Sequence, residues 1–376
     1  MVRLGIIGGG QLARMMVPPA HRLGIEVWVL ENSEQSPAGL AGAIHVAGDW
    51  RDPYTCEDFA HRVDFLTLDH EFTPPAALDA VKHILLPSVQ TMACIADKLN
   101  QKRHLEKVGI ETVESRGFNS PEELKRLGTE FGYPLMVKTR AGGYDGKGNF
   151  TLKGPESIDE VFQQLEGPLY AERFLEFERE LAVMVVRDED GRILTYPVVE
   201  TVQENHICVA VQFPAEVPNE IVKRAEEVGR RAAEAVEHVG VLGVEMFQCS
   251  DGRVLVNELA PRPHNSGHYT IDCCLTSQFE NHVRAVCGMP LGSVTPLVKS
   301  AAMVNLLGDG YGSGFPRYLD EVLRNPEARL HLYGKAAKPG RKLGHLTLVG
   351  ERSPSELRVE AQRLADKLIF KEPQLR

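Results

Sequence analysis

Two glutamates of this chain are predicted by spacing alone to face each other across a hairpin. Asp251-Gly252 lies between two apolar runs and is typical of a two-residue turn of type I′. Such a turn pairs Ser250 with Arg253. Counting back along both strands from that pair brings Glu245 directly opposite Glu258.

Two carboxylates opposed on a ladder repel each other unless a cation lies between them. Magnesium favours oxygen ligands and is commonly bound by one or two carboxylates together with substrate phosphates. The alternative is that Glu245 and Glu258 are solvated surface residues, but Phe247 and Val256 on the same face indicate partial burial. The pattern therefore predicts a magnesium and nucleotide site on the hairpin.

A glycine-rich segment at 142–148 is the second candidate for binding chemistry. It holds four glycines and follows a predicted strand that ends at Lys138, but it lacks the spacing of a P-loop. Such a segment exposes many backbone N–H groups and could close over a triphosphate, with Lys138 and Lys147 adding positive charge. The alternative is an ordinary flexible hairpin.

Polar side chains also follow the hairpin, in the proline-containing segment 257–268. They are Arg262, His264, Asn265 and His268, and several convergent groups favour a binding loop over isolated hydrogen-bonding residues. Arginine presents a planar donor fork that suits phosphate or carboxylate. Near the C-terminus a basic cluster surrounds Pro339-Gly340, and it is either an anion clamp or a solvated loop: Lys335, Lys338, Arg341 and Lys342.

The segment 8–13 satisfies G-x-G-x-x-G/A after a predicted strand, and Glu31 lies at the end of the next strand. This is the dinucleotide-binding pattern. Because glycines and a helix N-terminus suit any phosphate, the segment could instead bind another phosphorylated ligand. A tight turn that binds nothing is the third possibility.

The elements that carry these residues indicate an α/β chain. Apolar runs at 2–7, 26–30 and 63–68, with a helical pattern at 11–23, predict the start of a doubly wound parallel sheet. A second α/β unit follows. Its predicted elements are a helix capped by Ser120 that runs to Phe131, a strand at 135–138, a helix capped by Ser157 that runs to Leu165, and a strand at 169–172.

Longer strands are predicted after residue 178, at 180–187, 193–197 and 207–213, before the hairpin at 241–259. A long amphipathic helix is predicted over 220–239, with Gly240 just past its end. The C-terminal region adds short strands at 330–333 and 343–349 and a helix start at Ser353.

Length and composition limit the number of domains and the classes of protein that are possible. The 376 residues correspond to two or three domains at ~150 residues each. With 43% hydrophobic and 25% charged residues the chain can build real cores, which excludes global disorder. A net charge of −10 argues against a general binder of nucleic acid or anionic membranes. Seven cysteines, an odd number without Cys-x-x-Cys spacing, and the absence of a long apolar run or signal-peptide pattern predict a cytoplasmic protein with reduced thiols.

Taken together, these segments resemble the ATP-grasp superfamily. The residues that carry the resemblance are the glycine loop 142–148, the segment Glu172 to Leu175, Glu245 and Asn257-Glu258. More narrowly, segments 8–15, 142–148, 257–268 and 338–346 are similar to the N5-carboxyaminoimidazole ribonucleotide synthetase family of purine biosynthesis, over nearly the whole chain.

The resemblance implies a three-part ATP-grasp fold of α/β and α+β character, with an N-terminal Rossmann-like, doubly wound parallel sheet. The expected parts are an N-terminal domain at 1–100, a small lid domain with the glycine loop at 101–176, and a large domain with the C-terminal substrate-binding segment at 177–376. ATP would lie between the second and third parts.

The resemblance also implies the site residues. Lys98 and Lys138 would contact the nucleotide phosphates, and Glu180 would hold the ribose hydroxyls. Glu245 and Glu258 would bind magnesium, as two ions. The remaining nucleotide contacts would come from Gly143, Tyr144, Asp145, Gly146, Lys147, Gly148 and Asn149 over the triphosphate, from Glu172, Arg173, Phe174 and Leu175 along the adenine, and from Asn257.

The second substrate, 5-aminoimidazole ribonucleotide, would contact Gln11, Glu71, Tyr144, Asp145, Arg262, His264, Asn265 and Ser266, with its phosphate on Lys335, Arg341 and Lys342. The catalytic residues would be Asp145, Arg262 and His264, with Asp145 or His264 in proton transfer. One departure is visible: the family pattern Glu-x-Glu reads Asp69-His70-Glu71 here, which leaves the role of Asp69 open.

The implied reaction is ATP-dependent carboxylation of the ribonucleotide by bicarbonate, through carboxyphosphate, giving ADP and phosphate. The resemblance further implies a homodimer, functional coupling to a mutase that uses the product, and no nucleic-acid or membrane partner. The alternatives are another ATP-grasp ligase, such as a formate-dependent glycinamide ribonucleotide formyltransferase, an NAD-dependent oxidoreductase built on the first glycine motif, or a nucleotide sensor without turnover. The oxidoreductase hypothesis leaves the glutamate pair unexplained, and the pair, the second glycine loop and the Arg262 loop favour a working ligase over the alternatives.

Overall fold

The N-terminal part of the chain folds around four parallel strands. The computed structural model describes residues 1–143, 148–204 and 207–371. The strands are β1 (Arg3–Ile7), β2 (Glu26–Glu31), β3 (Ile44–Ala47) and β4 (Phe65–Leu68), arranged in the order β3-β2-β1-β4. The helices are α1 (Gln11–Arg22), α2 (Pro53–Ala60), α3 (Pro75–Ala80) and α4 (Val89–Ala96). The predicted succession of strand, glycine turn, helix and strand is confirmed, and β3 is an addition that the sequence analysis missed.

A small antiparallel sheet follows, with strand order β5-β8-β6-β7. Its elements are α5 (Lys98–Lys107), β5 (Ser115–Phe118), α6 (Pro121–Phe131), β6 (Leu135–Thr139), β7 (Asn149–Leu152), α7 (Ile158–Gln164) and β8 (Leu169–Arg173). The Ser120 side chain caps α6 by accepting from Glu123 N, as predicted. The predicted Ser157 cap is wrong, because a short 3-10 turn precedes α7 and Ser157 makes no capping hydrogen bond.

The rest of the chain builds one large, antiparallel sheet. Its strands are β9 (Arg179–Arg187), β10 (Ile193–Thr195), β11 (Val199–Glu204), β12 (Ile207–Phe213), β13 (Gly240–Gln248), β14 (Val254–Ala260), β15 (Ser300–Leu307), β16 (Ala328–Leu332) and β17 (Lys342–Gly350). The order is β14-β13-β9-β11-β12-β15-β17-β16, and β10 pairs with β9. The accompanying helices are α8 (Asn219–Ala235), α9 (Thr270–Cys273), α10 (Gln278–Val286), α11 (Leu319–Leu323) and α12 (Pro354–Ala365).

The centre of the large sheet is covered on both faces, which explains the long apolar runs in β9 and β13. On one face Val183, Val185 and Leu242 pack against α8. On the other face Met184 and Val186 belong to a second apolar cluster, which also holds Ala285 of α10. This double burial makes β9 and β13 a rigid platform for the polar residues at their ends.

The prediction that one helix covers 220–239 is wrong at its C-terminal end. Helix α8 ends at Ala235, and Glu237 takes a positive φ of 49° before the chain enters β13. Gly240, which was expected to cap the helix, is the first residue of β13. The predicted domain boundary at 100 falls inside α5, and that at 176 falls between β8 and β9; the three-part division stays a prediction. Within the described ranges no helix has the length and apolarity required to cross a membrane.

Candidate active site

A cavity of about 450 Å³ lies between the small sheet and the hairpin edge of the large sheet. Part of its wall is apolar, with Phe177 and Phe247 stacked at a centroid distance of 4.5 Å. The apolar lining residues are Val113, Met136, Phe174, Leu175, Phe177 and Phe247. The other lining residues are Lys98, Lys138, Gly143, Asn149, Thr151, Glu172, Arg173, Glu180, Gln203, Cys208, Glu245, Asn257, Glu258, His264, Asn265 and Lys342. An apolar wall beside dense charge suits a ligand with a flat ring and an anionic tail.

The hairpin of β13 and β14 brings Glu245 opposite Glu258, as predicted. The predicted two-residue turn is wrong, however, because Cys249 pairs with Arg253 and three residues lie between them. Next to the turn the register is therefore one residue away from the predicted one. A bulge beside Glu245 restores it, since Met246 faces Val256 whereas Glu245 faces Glu258.

The bulge also decides which side chains reach the cavity. Asn257 is the extra residue, and both Asn257 and Glu258 line the cavity although they are neighbours in sequence. Val256 instead lies in the apolar core with Val244 and Met246, so its predicted place beside the glutamates is wrong. Bulges commonly re-aim side chains in this way beside functional sites.

The two glutamates have opposite electrostatic surroundings. Burial and the carboxylates of Glu258 and Glu180 raise the pKa of Glu245 to about 8. Burial would also raise the pKa of Glu258, but the Lys98 ammonium lies 2.6 Å from its Oε2 and lowers that pKa below its usual value. The pair therefore retains a proton unless a cation compensates the second negative charge.

These residues fit a magnesium ion. Two carboxylates and the Asn257 amide supply oxygen ligands, and the remaining coordination positions suit water or phosphate oxygens. Among the described residues no group of three or more His, Cys, Asp or Glu side chains forms a closed metal cage. The donor set thus favours an ion that is bound jointly with an anionic ligand.

A buried chain of charges supports the cavity from the small sheet. Glu172 lies between two lysines, with its Oε2 2.9 Å from Lys138 Nζ and its Oε1 2.9 Å from Lys102 Nζ. Burial would raise the pKa of Glu172, but the two ammonium groups outweigh it and lower the pKa to about 2. Lys138 also donates to Asn257 Oδ1 at 3.3 Å, which links the two sheets. Lys102 was missed in the sequence analysis, although it lies four residues after Lys98 on one helical face.

Other residues predicted at the nucleotide lie around this cavity. Gly143, Asn149, Glu180 and the run Arg173, Phe174 and Leu175 all line it. Burial raises the pKa of Glu180. Gly148 precedes β7 with a φ of 85° and does not line the cavity. Tyr144, Asp145, Gly146 and Lys147 lie outside the described residues.

The residues predicted at the second substrate divide into two groups. His264, Asn265 and Lys342 line the cavity. Arg262 and Glu71 do not, and they form a bidentate ion pair with distances of 2.6 and 3.0 Å. This pair joins the segment after β4 to the segment after β14.

Four further residues of that set were expected at the same substrate. Lys335 contacts Gln11 Oε1 across the same boundary. Ser266 is fully buried behind the loop, and Arg341 is exposed and donates to Ala336 O at 3.2 Å.

Two buried amides hold the loop that carries His264 and Asn265, and both were missed. Gln278 accepts from His264 N at 3.0 Å and donates to His264 O at 2.8 Å. Asn305 exchanges two hydrogen bonds with the Asn265 amide, at 2.9 and 2.8 Å. Burial, with Arg262 nearby, lowers the pKa of His264 to about 4, so this imidazole is neutral and lies 3.7 Å from Glu245.

The first glycine motif is closed by the protein's own carboxylates. Asp69 accepts from Gly10 N at 2.5 Å and from Ala13 N at 3.0 Å, and Glu31 accepts from Gly9 N at 3.0 Å. These are the N–H groups at the start of α1 that a phosphate would use. Asp69 therefore acts as the cap of α1, and protein carboxylates accept from these N–H groups, whereas the binding of a phosphorylated ligand beside this segment, at Gln11, stays a prediction.

The chain matches three family descriptions in succession. Residues 1–96 match the ribonucleotide synthetase preATP-grasp domain, residues 103–279 the ATP-grasp domain, and residues 301–358 the phosphoribosylaminoimidazole carboxylase C-terminal domain. A phosphoribosylaminoimidazole carboxylase of Ogataea methanolica is 43% identical over 361 residues, which are 93% of this chain and 66% of that protein. The chain spans about two thirds of the length of such carboxylases.

Two further proteins match over nearly their full length. An N5-carboxyaminoimidazole ribonucleotide synthase of Synechococcus elongatus is 38% identical, and the match covers 96% of this chain and 93% of that protein. The solved N5-carboxyaminoimidazole synthase of Aspergillus clavatus, in complex with ADP and 5-aminoimidazole ribonucleotide, has a TM-score of 0.89 and 39% identity, covering 97% of this chain and 98% of that chain.

Proposed function

This chain belongs to the N5-carboxyaminoimidazole ribonucleotide synthase family of ATP-grasp proteins, and on that premise we propose that it carboxylates 5-aminoimidazole ribonucleotide with bicarbonate at the expense of ATP. The products are N5-carboxyaminoimidazole ribonucleotide, ADP and phosphate. The observation that carries the proposal is the pair of facing carboxylates, Glu245 and Glu258, in one cavity with Lys98 and Lys138.

In the proposed reaction a bicarbonate oxygen attacks the γ-phosphorus of ATP and the bond to the β-phosphate oxygen breaks, which gives carboxyphosphate and ADP. The exocyclic amine of the ribonucleotide then attacks the carboxyl carbon, phosphate leaves and the amine loses a proton. Lys98 and Lys138 stabilise negative charge on the phosphates in the first step. The apolar wall, with Phe174, Leu175 and Phe177, receives the adenine ring.

Glu245, Glu258 and Asn257 would hold magnesium, which would supply positive charge for the phosphates of the nucleotide. The neighbouring imidazole of His264 is neutral, and its backbone is fixed on both sides by Gln278. We assign His264, Arg262 and Asp145 to the carboxyl-transfer step. Arg262 supplies positive charge, and its orientation is set by Glu71.

The ribonucleotide is proposed to bind where the N-terminal sheet meets the large sheet. Gln11, Glu71 and Arg262 lie at this boundary, while Asn265 and Lys342 line the adjoining cavity. Lys335, Arg341 and Lys342 are proposed for its phosphate, and Ser266 for the loop that supports it. The Aspergillus structure solved with ADP and the ribonucleotide supports this pairing of ligands.

On the family resemblance we further propose a cytoplasmic homodimer that uses two magnesium ions and passes its product to a mutase. Light scattering of the purified chain tests the dimer, because a single-chain mass contradicts it. Titration of the chain and ATP with magnesium tests the number of ions through the measured stoichiometry.

The experiment that tests the proposed reaction is ADP release with ATP, magnesium and bicarbonate, with and without 5-aminoimidazole ribonucleotide. We expect strong stimulation by the ribonucleotide that requires bicarbonate. Release with formate and glycinamide ribonucleotide instead would keep the ATP-grasp chemistry and replace the substrates. Binding of ATP without turnover for any tested substrate would indicate a sensor.

A further inference from the structure

Lys102 is a buried lysine at the margin of the candidate site, outside the set of residues that line the cavity. Its side chain is 1% exposed, and its partner Glu172 is 3% exposed. Glu172 divides its two oxygens between Lys102 and Lys138, each at 2.9 Å. Two ammonium groups therefore share one carboxylate, and the group of three keeps one net positive charge.

Stability alone does not account for this arrangement. Removing two ammonium groups and a carboxylate from water is costly, and buried ion pairs are often no more stable than apolar side chains of similar volume. Lys138 and Glu172 line the cavity, whereas Lys102 does not. If Lys102 were absent, Glu172 would neutralise Lys138 one to one, and an anionic ligand would meet a neutral pair.

We propose that Lys102 is a positioning residue: it shares the charge of Glu172 with Lys138, so that the Lys138 ammonium is only partly neutralised and attracts nucleotide phosphates. The inference rests on the proposed function, because it takes the ligand to be a nucleoside triphosphate. Lys102 acts through Glu172 without touching the ligand. Its contribution consequently depends on the number of phosphates that the ligand carries.

The test compares the affinities of ATP, ADP and AMP for the wild-type chain and for Lys102→Met, by calorimetry in the presence of magnesium. Neutralisation of Lys138 by Glu172 in this variant weakens ATP binding by roughly tenfold or more, whereas AMP, which lacks the outer phosphates, changes little. The ATP-to-AMP affinity ratio therefore falls. Lys107→Met, an exposed lysine on the same helix, is the matched control and should keep the wild-type ratio.

A double variant distinguishes an effect of charge on Lys138 from a loss of folding. In Lys102→Met combined with Glu172→Gln, no carboxylate remains to neutralise Lys138, so the ATP-to-AMP ratio should return towards the wild-type value. If Lys102→Met alone does not fold, Glu172→Gln with and without Lys102→Met decides the question. Equal ratios in those two variants support action through Glu172, and a lower ratio in the double variant overturns it.

The outcomes distinguish the two proposals. An equal loss for all three nucleotides, or no loss at all, in a folded Lys102→Met chain overturns the inference while leaving the ATP site intact. Failure of the wild-type chain to bind ATP contradicts the proposed function itself.

Discussion

The two glycine-rich segments carry similar sequence signals, but their described residues have different surroundings in the fold. In the first segment, the N–H groups of Gly9 and Gly10 donate to the carboxylates of Glu31 and Asp69. In the second, at 142–148, Gly143 lines a cavity of about 450 Å³ that also holds Lys138 and the facing glutamates. Glycine spacing therefore predicts that backbone donors are available, but not whether the protein or a ligand satisfies them.

The carboxylates in the two regions explain the difference. Asp69 accepts backbone N–H groups at the positive end of α1, so its charge is compensated within the fold. Glu245 instead faces another carboxylate, and its pKa of about 8 reflects burial and that neighbour. In the first segment the acidic residues satisfy backbone donors, whereas Glu245 and Glu258 lie in the cavity, where they can bind a cation together with an anionic ligand.

The largest expected effect on activity comes from substituting either glutamate of the facing pair in the cavity. Glu245→Gln or Glu258→Gln should reduce ADP release by about 100-fold or more, because changes in residues one layer outside a metal site already cost 10–100-fold. Stability should not fall in Glu245→Gln, since that change relieves repulsion between the carboxylates, whereas Glu258→Gln also removes the carboxylate that pairs with Lys98 and should lower stability. Steady-state ADP release and urea denaturation measure the two quantities.

Glu111→Gln is the matched control, because Glu111 is an exposed glutamate that contacts Arg253 near the same hairpin. Its activity should equal that of the wild type. Normal activity in both Glu245→Gln and Glu258→Gln would contradict the proposed metal site, whatever the result at Glu111.

At the first glycine segment we expect substitution of Asp69 to lower stability. Asp69→Ala leaves the N–H groups of Gly10 and Ala13 without their charged acceptor, which should lower the free energy of unfolding by about 2–3 kcal/mol. Asp64→Ala, at an exposed ion pair with Arg3, should cost less than about 1 kcal/mol. An unchanged urea midpoint in Asp69→Ala would show that Asp69 is dispensable as a cap.

The same comparison shows what the sequence could predict. The N-terminal succession of strand, glycine turn, helix and strand, the Ser120 cap and the facing glutamates follow from local patterns, and the structure confirms them. The glutamate pair was nevertheless predicted with the wrong turn. The bulge at Asn257 compensates for the longer turn, and nothing in the apolar pattern distinguishes a bulged strand from a regular one.

Asp69 and Lys102 could not be assigned for a different physical reason. Asp69 accepts from Gly10 N, which lies 59 residues earlier in the chain, at the start of α1. Lys102 meets Glu172 only in the folded chain, where α5 packs beside the small sheet. Local spacing shows which groups could bind something. Only the packed fold shows which of them already bind each other.

Alanine substitutions at Gly10 and Gly142 should lower stability by smaller amounts and for different reasons. Gly10 has an ordinary φ of −72°, but an added Cβ would collide with Asp69 Oδ2. Gly142 has open space around an added Cβ and a φ of 77°, so Gly142→Ala should cost about 1 kcal/mol through backbone strain alone. Gly10→Ala should cost about 1–3 kcal/mol through the clash.

Combining each glycine change with Asp69→Ala distinguishes these causes. The cost of Gly10→Ala should disappear in the Asp69→Ala background, whereas the cost of Gly142→Ala should stay additive. Urea denaturation of the single and double variants measures both cycles. Additive behaviour of Gly10→Ala with Asp69→Ala would mean that the Asp69 carboxylate does not close the first segment.

The smallest expected change in stability near neutral pH comes from His282, which lies between β4 and β13. His282 shares a 2.9 Å hydrogen bond through Nε2 with Thr67 in β4, and its Nδ1 accepts from Val241 N in β13 at 3.1 Å. Burial lowers the pKa of His282 to about 3. An unfolded histidine has a pKa of about 6.5, so below that pH the unfolded chain binds a proton that the folded chain does not.

Stability from His282 is therefore complete above pH 6.5 and falls as the pH is lowered towards the folded pKa, by ~1 kcal/mol for each pH unit. His282→Gln keeps a donor and an acceptor but cannot be protonated, so its loss of stability between pH 6.5 and 4.5 should be smaller than that of the wild type. His238, whose pKa burial lowers to about 4, titrates in the same direction in both chains and cancels in the difference. Identical pH profiles of wild type and His282→Gln, measured by urea denaturation, would show that folding does not lower the pKa of His282.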